Sequence, residues 1–434
     1  MSKKSPWMWI PTLYFAEGLP YFIVNVISVT MFKRLGMSNG DLALYTSLLY
    51  LPWTIKPLWS PFVDIIRSKR WWILLMQLVM AVSIFGLALA LPHPSAEQIA
   101  SGSIGISPFL ITLIIFYITA FASATHDIAA DGYYMLELDQ HRQSLFVGVR
   151  NTFYRIGSVF GQGVIVVIAG VLETSFGDIP KAWTATLVIS ALIFSIITIY
   201  HIFVLPRPES DVEKQSKRAG DVLAEFGRTF ATFFRKKGVW TAIVFMLLYR
   251  LPEAFSVKML TPFMLDPLEK GGLGLTTAQS GLVYGTVGVI ALLAGGILGG
   301  LAAGKWGLKK CLWPMALSLA LPCSVYLFMA LVQPEHIWVI YACVAFDQFG
   351  YGFGFTAYTL YMMYFADGEY KTAHYALCTA FMALSMMVPG MFAGMLQETM
   401  GYGGFFWMVM VCCLVTVAVT FIVKKKIDAS YGKN

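Results

Sequence analysis

Charge is the scarcest commodity in this chain. Asp, Glu, Lys and Arg make up only 13% of its 434 residues, about half the share of an ordinary soluble domain. That is too little to dress a water-facing surface of this length. Catalytic spacings are missing too. The one histidine set among acids, in the stretch HDIAAD at 126–131, lacks the HExxH spacing of a metalloprotease, and no nucleophile pattern accompanies it. An enzyme is therefore not expected. The six cysteines, Cys311, Cys323, Cys343, Cys378, Cys412 and Cys413, lie in apolar segments without ligand spacing. They read as small packing residues, and neither a metal nor a cofactor is expected. No cleavable leader is evident either, because the first apolar run is span-length and has no small-residue cleavage site.

What the chain has is apolar length. Hydrophobic residues are 58% and aromatics 15%, and runs too long for core helices recur throughout, which marks transmembrane helices. A barrel would show short alternating segments instead. The expected class is an all-α polytopic membrane protein. The formal charge of +7 suggests nucleic acid until its location is counted. Of 31 Lys and Arg, 22 fall in the N-terminus, the even-numbered loops and the C-terminal tail, four in odd-numbered loops and five within spans. This bias places both termini in the cytoplasm. The basic excess is topogenic; the expected partners are a small-molecule substrate and the lipid bilayer, with no nucleic acid.

Twelve spans are expected, at about 7–32, 41–64, 71–91, 108–134, 144–171, 182–205, 239–264, 276–303, 309–332, 337–363, 372–397 and 403–424. The one long connection separates an N-terminal block, 1–205, from a C-terminal block, 239–434. Within this linker, 206–238, Phe226, Phe230, Phe233 and Phe234 recur at helical spacing opposite Arg228, Arg235 and Lys236. They suggest an amphipathic helix at the cytoplasmic interface.

The stretch from Ser123 to Gly157 organises the first block. Folded back at about Gln140–His141, it sets Asp131 level with Arg150 and Asp127 level with Arg155. Charges inside a bilayer are costly and usually mark a substrate or ion path. The two pairs can alternatively be structural clamps between the fourth and fifth spans.

The blocks read as repeats. Tyr14-Phe15-Ala16-Glu17-Gly18-Leu19-Pro20 in the first span faces Tyr249-Arg250-Leu251-Pro252-Glu253-Ala254-Phe255 in the seventh. After the second span comes Ser60-Pro61-Phe62-Val63-Asp64 with Arg67 and Lys69, and after the eighth comes Gly300-Leu301-Ala302-Ala303-Gly304-Lys305-Trp306-Gly307-Leu308-Lys309. Six-plus-six repeats of this kind place a substrate site at the repeat interface near the midplane. The second segment resembles the loop signature of the major facilitator superfamily, Gly-x-Leu-Ala-Asp-Arg-x-Gly-Arg-Lys, with Gly304 where the family has Asp. The first copy keeps that Asp as Asp64. Within the superfamily the chain is most similar to the AmpG-type muropeptide permeases, through YFAEGLPYF (14–22), LPWTIKPLWSPFVD (51–64), SATHDIAADGYY (123–134), FYRIGSVFGQG (153–163) and the run 373–406.

The resemblance implies a bacterial inner-membrane symporter driven by the proton gradient, importing peptidoglycan fragments with an anhydro-muramyl amino-sugar core. Well-known members carry helices beyond twelve, for which this chain has no room. A carrier of another anionic sugar or acyl conjugate, such as a CoA ester, is the alternative; the related eukaryotic acetyl-CoA transporters belong to the same broader family. A channel fits the repeats poorly. The expected oligomeric state is a monomer.

Glu17, Asp127 and Glu253 are the candidate coupling acids, with His126 as a possible relay or, equally, a hydrogen-bonded packing residue. Glu253 can instead be neutralised by Arg250 or Lys258, and Glu17 by Lys56 or Arg155. Arg155 is the candidate anion receptor, since protonation of Asp127 would release it, and a guanidinium fork suits carboxylates. Asn25, Arg150, Tyr154 and Arg250 complete the candidate binding set. Lys56 either joins it or snorkels to the headgroups. In the tenth span Asp347 and Gln348 offer polar contacts to sugar groups, and Tyr351 offers a stacking face. Asp64 is expected to latch onto the eleventh helix near Thr372, with Asp131, Gly300 and Lys305 as further gate elements. Glycines at 285, 288, 295, 296, 299, 300 and 304 are expected to let the eighth span approach a neighbour closely.

Overall fold

Long apolar segments with few interruptions become helices because a backbone in lipid must satisfy its own hydrogen bonds. The computed structural model describes residues 5–207, 219–368, 370–428 and 431, and among these it is helical throughout, without strands. Eight of its helices are long and apolar enough to cross a membrane, from Pro6–Arg34 to the doubled helix Ala373–Lys424. Shorter or more polar helical pieces complete a twelve-span fold.

Interruptions fall where the chemistry requires them. In the second span Pro52 and Pro57 split the helix into Asn39–Leu48, Leu51–Ile55 and Ser60–Ile65, with a tight turn at Lys56–Leu58. The seventh breaks between Val239–Leu248 and Leu251–Leu265, just before Pro252. Proline lacks the amide a helix interior needs. The eleventh and twelfth are joined directly, and Gly401, at φ 68° and ψ 171°, makes the corner. A side chain there would be strained. Span starts carry polar caps. Ser38, Ser68, Asp139 and Asp178 accept from the backbone amides of Asp41, Trp71, Arg142 and Lys181, and Thr276 forms a capping box with Gln279.

The chain divides into two units, 1–37 with 55–226 and 38–54 with 227–434. In the first, spans one and five meet closely. A Cβ on Gly18 would stand 2.9 Å from the Tyr154 carbonyl oxygen, and one on Gly161 2.8 Å from the Phe22 Cβ. Both helices loosen into wider turns next to this contact, at Ile23–Ile27 and Phe160–Ile165. Such π-type turns are frequent at functional sites. Around the crossing, Trp9, Tyr14, Tyr133 and Tyr134 build an aromatic core.

In the second unit, span eight lies against span ten along small residues. A Cβ on Gly295 would meet the Phe349 carbonyl oxygen at 2.1 Å, and one on Gly352 would meet that of Leu292 at 2.1 Å. Gly288 and Gly299 also touch span ten, whereas Gly300 and Gly304 face open space among the described residues. The glycine run therefore divides into a packing stripe and a free end. The segment 38–54, placed in the N-terminal block by chain order, belongs structurally to this second unit.

The linker helix, Ala219–Phe234, is docked on protein as well as amphipathic. Phe233 is fully buried against Phe365, His374 and Phe381, and Phe234 remains 40% exposed. Lys236 Nζ donates to the carbonyls of Phe365 and Asp367 at 2.7 and 2.6 Å. The side chain of Phe226 lies outside the described residues.

Replacing Gly295 with Val is expected to lower the unfolding temperature in detergent, at a cost above about 3 kcal/mol because backbone must move. Gly304→Ala, which meets nothing, should stay within about 1 kcal/mol of the parent.

Candidate functional site

The fourth span runs unbroken over Leu110–Glu137 and the fifth starts at Gln140, so the turn is as tight as the sequence suggests. Asp127 and Asp131, four residues apart, share a helix face. Asp131 meets its expected partner: Arg150 Nη2 lies 2.6 Å from Oδ1. Tyr14 donates to the same oxygen at 3.4 Å, and the guanidinium sits 4.6 Å over the Tyr14 ring and 5.6 Å over that of Tyr134.

Asp127 does not meet Arg155. Its partner is Lys56, whose ammonium is hydrogen-bonded to Oδ2. Matching depth is not matching direction. The five-residue step from Arg150 to Arg155 turns the side chain by roughly 140° about the helix, while the four-residue step from Asp131 to Asp127 turns it by only about 40°. Arg155 thus points to another face, half-buried and without an ion pair among the described residues. Lys56 does not snorkel. The tight turn at Lys56–Leu58 directs it to span four, where Trp59 Nε1 also donates to Thr125 Oγ1 at 3.2 Å.

Glu17 completes the cluster. It is 7% exposed, its carboxyl lies beside that of Asp127, and Oε2 has no hydrogen-bond partner among the described residues. Three carboxyls thus share two cations, Lys56 and Arg150. Asp127 and Asp131 retain 19% and 39% side-chain exposure, so the cluster is not sealed. Two helical turns beyond Glu17, Asn25 donates to the Tyr21 carbonyl at 3.0 Å while its own Oδ1 is unpaired. Tyr154 stands where its backbone meets Gly18.

His126 is adjacent to Asp127 in sequence but about 100° away around the helix. It is fully buried, with Nε2 3.0 Å from the Gln77 amide, which also reaches His201 Nδ1 at 2.9 Å. His201 Nε2 lies 2.9 Å from Thr12 Oγ1. This network ties spans one, three, four and six together, while His126 Nδ1 is buried without a hydrogen-bond partner among the described residues. Its partners Gln77 and His201 went unnoticed in sequence because a lone Gln or His in a span has no helical neighbour to announce it.

In the second unit Arg250 and Glu253 form a closed fork, Nε to Oε2 2.7 Å and Nη2 to Oε1 2.8 Å, both residues 5% exposed. Arg250 Nη2 also donates to Tyr351 OH at 2.9 Å, and its guanidinium lies over the rings of Tyr351, Phe355 and Tyr358. Both oxygens of Glu253 are taken, and the Tyr351 face is occupied by Arg250. Asp347 accepts from Tyr326 OH at 2.6 Å and from Gln348 Nε2 at 3.0 Å. Gln348 is 4% exposed and spends its amide on its neighbour in the chain, not on an open surface.

Lys258 is the residue that sequence reasoning undervalued. It is 7% exposed, donates to Thr46 Oγ1 at 2.9 Å and lies 5.8 Å from the Tyr50 ring centroid. No carboxylate pairs with it among the described residues. The signal was present: no acid stands three or four residues from Lys258 in either direction, so nothing on its own helix can neutralise it.

Of the gate candidates, the side chains of Asp64 and Thr372 lie outside the described residues. Gly300 has no neighbour within 4 Å, and Lys305 is exposed, its ammonium 5.4 Å from the Trp306 ring centroid. All six cysteines are free. Among the described residues no group of three or more His, Cys, Asp or Glu is placed to hold a metal.

A cluster of partly buried ion pairs within a twelve-span helical fold is transporter architecture, and the Major Facilitator Superfamily model matches residues 12–389. The chain belongs to the Major Facilitator Superfamily. Its relatives include the anhydromuropeptide permease of Escherichia coli K12, 23% identical over 91% of this chain and 74% of that one. The putative transporter AmpG 4 of Rickettsia felis is 23% identical over 95% of both chains. Among solved structures, a D-xylose–proton symporter superposes with a TM-score of 0.73 at 13% identity, covering 98% of each chain. At that identity the likeness shows the fold. These relatives and neighbours are membrane transporters, and this superfamily member is a transporter, not an enzyme.

Breaking the Lys56–Asp127 contact tests the corrected pairing. In a double-mutant cycle, Lys56→Met and Asp127→Asn are expected to couple by about 1–3 kcal/mol in unfolding free energy. Arg155→Met and Asp127→Asn should add to within about 0.5 kcal/mol.

Proposed function

We propose that this transporter is a proton-coupled symporter that imports anhydro-muramyl, amino-sugar-containing cell-wall fragments across the bacterial inner membrane, with both termini in the cytoplasm. The observation that carries the coupling is the charge imbalance of the first unit: Glu17, Asp127 and Asp131 against Lys56 and Arg150. With one proton bound, the cluster is neutral. Without it, Glu17 and Asp127 contend for the single ammonium of Lys56, and an uncompensated charge sits in a low-dielectric interior, which is costly. The proton-free state therefore favours a rearrangement that brings a cation or water to the acids. A carrier driven by a gradient needs such a difference in stability between its two protonation states.

The cargo reading rests on two cations without ion-pair partners among the described residues. Arg155 is half-buried in the first unit and Lys258 is buried in the second. Each can receive a carboxylate, and a buried cation gains most from a ligand that neutralises it. Muramyl lactate and stem-peptide carboxylates are ligands of that kind, and the printed name of the Escherichia coli relative points the same way.

The test is uptake of labelled anhydro-disaccharide, with and without stem peptide, into proteoliposomes. Wild type is expected to accumulate cargo only with an inward proton gradient and to lose accumulation with a protonophore. Glu17→Gln should abolish accumulation yet retain exchange of cargo across the membrane. Uptake indifferent to the protonophore would remove proton coupling, and exchange of an unrelated acyl conjugate in preference to the disaccharide would reassign the cargo.

A further inference from the structure

The first piece of span two, Asn39–Leu48, is docked on spans seven and eleven of the second unit. Segment 38–54 belongs to that unit, while the chain on either side of it belongs to the first. The docked face is polar at its ends and small in its middle. At the end that the Lys and Arg bias assigns away from the cytoplasm, Asn39 Nδ2 donates to Gln397 Oε1 at 2.7 Å and to Asp266 Oδ2 at 3.2 Å. Tyr402 OH donates to the same Asp266 oxygen at 2.6 Å. Beside them the Gly40 amide, one of the donors that a helix start leaves over, donates to Glu398 Oε1 at 2.8 Å. The helix dipole favours a carboxylate there as well. Further in, span eleven presents glycine. A Cβ on Gly394 would stand 1.8 Å from the Asn39 carbonyl oxygen, and one on Gly390 2.5 Å from Ser47 Oγ. At the inner end Lys258 Nζ donates to Thr46 Oγ1 at 2.9 Å and lies 5.8 Å from the Tyr50 ring centroid.

We infer that Asn39–Leu48 is a releasable clasp, which covers Lys258 when docked and uncovers it when lifted. Three features favour release over a permanent joint. The piece ends in a break on each side: Gly36 at φ 86° before it, and the interruption at Leu49–Tyr50 with the Lys56–Leu58 turn after it. No continuous helix braces it. Docking also buries the Ser47 hydroxyl without a hydrogen-bond partner among the described residues, a cost that lifting removes. Finally, the Glu398 carboxylate is exposed, so water replaces the Gly40 amide as its partner when the piece leaves. Lys258 is one of the two cations of the cargo reading, and the inference deepens that reading. The docking and its release do not depend on what the cargo is, so the test is run without cargo.

Ser47→Cys places a thiol of similar size under the clasp. The full chain carrying it is treated in detergent with N-ethylmaleimide, and labelling is followed at each cysteine by peptide mass spectrometry. Native Cys323, 1% exposed elsewhere in the second unit, gauges global opening. In this background Glu398→Gln is expected to speed labelling at position 47 about threefold, the effect of one charge at a helix start. Asn39→Asp sets a second carboxylate against Asp266 and should speed it about tenfold or more. Cys323 keeps its rate in both. Adding Asp266→Asn to Asn39→Asp remakes the donor–acceptor pair in reverse and should slow labelling again towards the parent rate. Equal acceleration at position 47 and at Cys323 would make the contact a fixed part of the folded core and overturn the inference. A rate at position 47 that Glu398→Gln and Asn39→Asp leave unchanged, or an exchange variant as fast as Asn39→Asp alone, would overturn it too.

Discussion

The structure depends on a buried imbalance: three carboxyls held by two cations inside the first unit. Charges at that depth persist only when paired or protonated, and the pairing here is incomplete by one proton. Asp131 has Arg150 at 2.6 Å with Tyr14 in support. Asp127 has Lys56, and Glu17 lies beside Asp127 with one oxygen unsatisfied. The surrounding architecture serves this arrangement. Gly18 and Gly161 let the first and fifth spans touch, the wide turns at Ile23–Ile27 and Phe160–Ile165 adjoin the contact, and the turn at Lys56–Leu58 aims the lysine inward.

The second unit is built on a different balance. Its Arg250–Glu253 fork is closed on itself and wrapped by Tyr351, Phe355 and Tyr358. That is the arrangement of a structural pair: bidentate, desolvated and satisfied on every side. Asp347, held by Tyr326 and Gln348, and Lys258, held by Thr46 and Tyr50, each lack an opposite charge among the described residues. The two acids singled out by the repeat, Glu17 and Glu253, therefore differ in kind. One has an oxygen without a hydrogen-bond partner among the described residues, and the other has both oxygens bonded to Arg250.

The spans themselves were legible, because twenty apolar residues in a row leave a membrane chain few alternatives. The Asp131–Arg150 pair was legible as well, since counting outward from a tight turn gives depth. Depth alone failed one turn further in, where Arg155 is rotated away from Asp127 and Lys56, 71 residues distant in sequence, takes its place. No periodicity connects a lysine in one span to an aspartate in another; the direction of Lys56 comes from Pro57 and a local turn. The glycine run of the eighth span was half readable. Gly288, Gly295 and Gly299 meet span ten, but nothing in the spacing says where the neighbouring helix diverges and leaves Gly300 and Gly304 open. The loop signature conveyed family membership, which the superfamily match establishes. Gln348, read in sequence as a contact for sugar groups, donates its amide to the acid next to it, a use that no spacing announces.

The central claim is that one proton resides in the Glu17–Asp127 pair of the resting protein. Infrared difference spectroscopy of the protein in lipid, wild type minus Glu17→Gln, reads it directly through the carbonyl stretch of a protonated carboxyl. The expected result is one protonated-carboxyl band present in wild type, shifted by deuterium exchange, and absent from the variant. A wild-type spectrum with no such band, or one that survives Glu17→Gln unchanged, would contradict it.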